Sequence, residues 1–175
     1  MSLEESLILV VDDNEMNRDM LSRRLRRQKY KSIVAENGEQ ALQLVHEHAF
    51  DLLLLDIMMP SISGYEVLER LKADASTAHI PVIMISAVDD LESVVRCIEL
   101  GAEDYLFKPF NPVLLKARVN ASIRKNRLSP TNIRPIRDAI QTANTALAEA
   151  DLPTEQATHV ETIQTQLDTL TTLLN

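Results

Sequence analysis

Five side chains in this sequence could do chemistry together: the carboxylates of Asp12, Asp13 and Asp56, the Ser86 hydroxyl and the Lys108 ammonium. Each stands just behind a short apolar run. Three carboxylates gathered at one place repel one another and hold protons more tightly unless a cation lies among them. That points to a metal. An oxygen set of one or two carboxylates, waters and phosphate oxygens suits magnesium. There the cation neutralises an incoming phosphodonor while one carboxylate attacks it, giving an aspartyl phosphate. Lys108 would bring a fixed positive charge to the phosphoryl oxygens, and Ser86 would donate a hydrogen bond to another.

Such a cluster forms only if the runs are strands that end side by side. The runs are Leu7–Val11, Leu52–Leu55, Ile80–Ile85 and Tyr105–Phe107, with a weaker one at Ser32–Ala35. They are continuously apolar, as strands covered on both faces are, and amphipathic segments lie between them. Helices are expected over Asn14–Gln28, Gly38–His48, Gly64–Ala73, Asp89–Leu100 and Pro112–Arg127. Five βα units make a doubly wound α/β sheet, whose ligands sit outside the carboxyl ends of the strands. All five reactive side chains follow strand ends, as that geometry requires.

The segments Val10-Val11-Asp12-Asp13-Asn14, Leu55-Asp56-Ile57-Met58-Met59-Pro60 with Gly64, Ser86-Ala87 and Tyr105-Leu106-Phe107-Lys108-Pro109-Phe110 resemble, in order and spacing, the receiver domains of two-component response regulators. The resemblance spans residues 6–127. It implies a flavodoxin-like parallel sheet of order 2-1-3-4-5, with Asp56 as the phosphoacceptor. It also implies a magnesium ion held by Asp13, Asp56 and the Met58 backbone carbonyl, with Asp12 reaching it through water. Ser86 and Lys108 would bind the phosphoryl group. A cis Lys108–Pro109 peptide would aim the ammonium inward, and Pro60 and Gly64 would shape the loop behind Asp56. Tyr105 occupies the family's aromatic switch position, from which it would swing inward as Ser86 moves toward the phosphoryl group. The expected donor is a histidine kinase or phosphotransfer protein. On the expected output face, Asp104 with Arg118 and Glu103 with Lys125 match pairings of a common receiver dimer, whereas Val94 and Leu114 stand where a third pair of opposite charges is expected.

From Leu128 the composition changes: the last 47 residues hold no Gly, no Phe, Tyr or Trp, and ten Thr. Apolar residues recur there by threes and fours, at Ile133, Ile136, Ile140, Ala143, Leu147 and Ala150, and again at Val160, Ile163, Leu167, Leu170 and Leu174. The expected domains are therefore a receiver over 1–127 and a helical hairpin over 128–175, whose narrow seams suit a dimerising four-helix bundle or a linker to a further effector. The hairpin is faintly similar to the dimerisation and phosphotransfer hairpin of histidine kinases but carries no acceptor histidine before its proline.

Composition narrows the remaining classes. A net charge of -8 and a pI near 5.0 disfavour contact with nucleic acid. No apolar run reaches the ~20 residues that span a bilayer, so no membrane partner and a cytoplasmic location are expected. Cys97 is a lone cysteine read as a small buried residue. A phosphatase with an aspartyl nucleophile commonly has an acid two residues further on. Met58 stands there, so catalysis is expected to extend only to the chain's own phosphorylation and dephosphorylation. The alternative is a receiver fragment of a larger hybrid kinase or effector protein.

Overall fold

In the computed structural model, residues 6–87 and 91–128 are described, together with Ala139, Thr142, Thr165 and Gln166, which are helical. The chain divides into two units, Met1–Asn126 and Arg127–Asn175. The hairpin seams and Val88 lie outside the described residues.

The first unit runs β1 (Leu7–Val11), α1 (Glu15–Arg27), β2 (Lys31–Ala35), α2 (Gly38–Glu47), β3 (Leu52–Asp56), α3 (Gly64–Ala73), β4 (Val82–Ser86), α4 (Leu91–Glu99), β5 (Asp104–Phe107) and α5 (Pro112–Arg127). The strands form one parallel sheet in the order β2-β1-β3-β4-β5. This is the expected doubly wound α/β fold.

Within the apolar runs a period of two still operates. Leu9, Val11, Leu53, Leu55, Val82 and Met84 enter one core with Ala41 and Val45 of α2, Val67, Leu68 and Leu71 of α3, and Cys97 of α4. Their neighbours Ile8, Val10, Leu52, Leu54, Ile83, Ile85 and Leu106 enter the other, with Leu21 and Leu25 of α1 and Leu115, Val119 and Ile123 of α5. Burying each large aliphatic side chain contributes roughly 1.5–3 kcal/mol, so both faces must stay covered.

Local chemistry sets the element ends. Asn14, expected inside α1, instead caps it, its Oδ1 accepting the amides of Met16 and Asn17. Ser63 and Glu66 form a reciprocal capping box at α3. Ile80, expected in β4, belongs to the preceding turn, since its amide donates to the Thr77 carbonyl. The following Pro81 has no amide, but its carbonyl accepts from Leu53. Helix α4 ends in a left-handed Gly101 (φ 93°), with Gly101 and Ala102 donating back to the carbonyls of Ile98 and Cys97.

Candidate functional site

The pairing register aligns the carboxyl ends of the inner strands. Val11 pairs with Leu55, Asp56 with Ile85, and Ser86 with Phe107. The residues at and beyond those ends therefore meet on one rim: Asp12 and Asp13 after β1, Asp56 at the end of β3, Ser86 at the end of β4, Lys108 after β5. In this order the chain turns to one side of β1 for β2 and to the other for β3, so the rim lies where the winding reverses.

Asp12, Asp13 and Asp56 each offer an oxygen within 4.8 Å of the others. Asp12 and Asp56 are buried, with 1 % and 5 % of their surface exposed, while Asp13 faces solvent. Lys108 reaches across the rim, its Nζ 2.7 Å from Asp12 Oδ2 and 2.9 Å from Asp56 Oδ2. Its own amide donates to the Ser86 carbonyl, and the Lys108–Pro109 peptide is cis, as the resemblance implied. Burial raises the Asp56 carboxyl above its ordinary value. Lys108 opposes that by hydrogen bond and charge, the Asp12 charge adds to it, and the Met58 amide lowers it again. For Lys108, burial alone would depress the ammonium, but its bonds to Asp12 and Asp56 prevail and raise it. The lysine therefore stays charged. It partly offsets the repulsion among the acids, without removing the burial cost at Asp56.

The donor set is all oxygen, crowded and anionic, which fits a hard divalent cation such as magnesium. Ser86 is fully buried one residue beyond Ile85, the partner of Asp56. Met58 points its side chain to solvent at 65 % exposure, two residues beyond the acceptor position. Pro60 is exposed in the loop after β3, and Gly64 is buried at the start of α3. Tyr105, the expected switch residue, lies on β5. Its ring is buried, 6 % exposed and tilted against Phe107.

Three residues at the site were not singled out from sequence. The Asn14 amide and Asn17 Nδ2 both donate to Asp12 Oδ1, at 2.9 and 3.1 Å. The Arg18 guanidinium donates to the carbonyls of Asp12 and Asp13, each at 2.8 Å. The only sequence signal was proximity, because all three follow the acidic pair within one helical turn or so. Farther away, Asp104 pairs with Arg118 and Glu103 with Lys125 within the same chain.

Among the described residues, no helix is long and apolar enough to cross a membrane. Residues 8–120 match the family described as the response regulator receiver domain. The chain is 38 % identical over 151 residues to the DNA-binding response regulator MtrA of Mycolicibacterium smegmatis, covering 86 % of this chain and 61 % of that one. It spans between 45 % and 61 % of the length of the first curated relatives it matches. Among solved structures it is similar to the receiver domain of the Francisella response regulator 1452 (30 % identity, TM-score 0.65, covering 69 % of this chain and 98 % of that one). It is also similar to the BeF3-activated DrrB receiver domain (36 % identity, TM-score 0.62, 69 % and 98 %).

Proposed function

Because this chain belongs to the response regulator receiver domain family, we propose that it receives a phosphoryl group on Asp56 and passes the change on through its surface. The observation that carries the reading is the rim itself: one buried carboxylate faces two others, with a lysine ammonium bonded to it. Asp13, Asp56 and the Met58 carbonyl would hold magnesium, with Asp12 reaching it through water. Bound there, the ion supplies charge neutralisation for the incoming donor and the reacting carboxylate. The Asp56 oxygen attacks the phosphorus, the donor's leaving group departs with its electron pair, and Lys108 and Ser86 hold phosphoryl oxygens. The chain would act on itself and turn over no external substrate.

The donor is proposed to be a histidine kinase or a histidine phosphotransfer protein. MtrA is named as a DNA-binding regulator. For this chain we favour a protein partner over nucleic acid, because a net charge of -8 opposes a phosphate backbone. The switch is proposed to couple movement of Ser86 toward the phosphoryl group to the ring of Tyr105, which packs inside beside Phe107. Intact-mass measurement with a small phosphodonor tests the reading. One phosphoryl group should be gained with magnesium and none after chelation, and equal gain without the metal would defeat the metal's part in it.

Two further outcomes follow. Met58 can neither orient nor activate a water, and its exposed side chain leaves room for replacement. Met58→Asn should therefore shorten the phosphoryl lifetime several-fold; decay equal to or slower than the parent's counts against this. Residues 128–175 are proposed as a dimerising hairpin, so light scattering should give a dimer for the full chain and a monomer for one ending at Arg127. A monomeric full chain at micromolar concentration refutes the hairpin's role.

A further inference from the structure

We infer that Arg18 is a positioning residue of the acidic site, one that presets Asp13 for a divalent cation by holding the main chain beneath it. The inference rests on the reading of Asp12, Asp13 and Asp56 as a metal site.

The three carboxylates are held very differently. Asp12 is fixed by the Asn14 amide, Asn17 Nδ2 and Lys108 Nζ. Asp56 is fixed by Lys108 Nζ and the Met58 amide. No hydrogen bond or ion pair among the described residues reaches the carboxylate of Asp13, although its oxygen lies within 4.8 Å of the other two. Its place is therefore set by its backbone. That backbone has left the sheet: the Asp12 amide still bonds to the Ala35 carbonyl, but the carbonyls of Asp12 and Asp13 turn instead to one guanidinium nitrogen of Arg18. Two peptide planes tied to one rigid donor fix the direction in which both side chains leave the chain.

The charge of Arg18 makes this placement informative. Arg18 lies in the first turns of α1, where the positive end of the helix dipole disfavours a cation, and beside a site read as holding another. By charge alone Arg18 opposes the metal, so its benefit must be geometric. The two effects predict opposite signs. Loss of a nearby positive charge should tighten magnesium binding, whereas loss of the tether should loosen it, because a disordered ligand must be ordered as the ion binds.

The test is calorimetric titration of the 175-residue chain with magnesium alone. Arg18→Met should bind about tenfold more weakly than the parent, as loss of an outer-shell partner commonly costs. Arg18→Lys, which keeps a donor, should recover most of the loss. In an Asp13→Asn background, Arg18→Met should add little, since it acts through Asp13. A second readout is the magnesium dependence of phosphoryl incorporation. The half-saturating concentration should rise with the rate at saturation nearly unchanged, a split that general destabilisation would not produce. If Arg18→Met does not fold, Arg18→Ala removes the same donors with less bulk and takes its place. Unchanged or tighter magnesium binding in the donor-free variant overturns the inference. A parent protein that binds no magnesium removes the reading beneath it as well, which separates the two failures.

Discussion

Asp56→Asn should incorporate no phosphoryl group from any donor and yet be more stable than the parent at neutral pH. The loss of labelling follows from chemistry, since an amide cannot serve as the nucleophile a carboxylate provides. The gain in stability follows from burial. Asp56 is held above its ordinary carboxyl value mainly because its charge has been taken out of water, and Lys108 only partly compensates. A carboxyl whose folded value exceeds its unfolded value adds nothing while it is neutral in both states. It costs stability as pH rises from the unfolded value through the folded one. The asparagine variant is neutral throughout, so its advantage should be full near pH 7 and fade as the solution is acidified. Denaturant midpoints at several pH values would show this, and a variant less stable than the parent at pH 7 would contradict the electrostatic account of the site.

Gly64→Ala should destabilise the receiver unit by about 3 kcal/mol or more, the upper range for overpacking. A methyl group built on Gly64 would lie 2.1 Å from the Asp56 carbonyl oxygen and 2.8 Å from the Ile57 Cα. Those are backbone atoms of the segment that carries the acceptor, and no rotamer change can move them aside. The Gly64 amide also donates to the Ile57 carbonyl, which pins the start of α3 against the end of β3. Either the helix retreats and loses that bond, or the loop behind Asp56 shifts and the site loses its geometry. Labelling should therefore fall along with the urea midpoint. Gly101→Ala is a useful contrast, since its added methyl would meet only the flexible Lys72 side chain and the left-handed backbone should cost roughly 1–2 kcal/mol. A parent-like midpoint for Gly64→Ala would show that α3 and β3 are not locked together as described.

What the sequence revealed and what it hid differ in physical kind. Strands buried on both faces leave continuous apolar runs, so β1 was legible residue by residue and the whole sheet could be inferred from five runs. Helices α3 and α5 were equally plain because Gly64 and Pro112 mark their starts. Where a boundary depended on cap or turn hydrogen bonds, as at Asn14 and Ile80, the apolar pattern carried no sign of them: Ile80 is buried without belonging to the ladder. The acids and the lysine were legible because their chemistry is unusual and each follows a strand. Arg18 was not, since an arginine on an amphipathic helix looks like any solvated cation until its side chain is seen folding back onto two carbonyls. The present direction of the Tyr105 ring was hidden for a related reason. Its direction is decided by packing on the edge strand β5 beside Phe107, and residue type carries no trace of that.

The most direct test of the central claim is to locate the phosphoryl group. The protein would be treated with magnesium and a small phosphodonor, the acyl phosphate reduced to its alcohol with hydride, and the digest sequenced by mass spectrometry. The account predicts one converted residue, Asp56, with Asp12 and Asp13 unchanged and no conversion after chelation. Conversion at Asp12 or Asp13 with Asp56 untouched, or undiminished incorporation in Asp56→Asn, would contradict it.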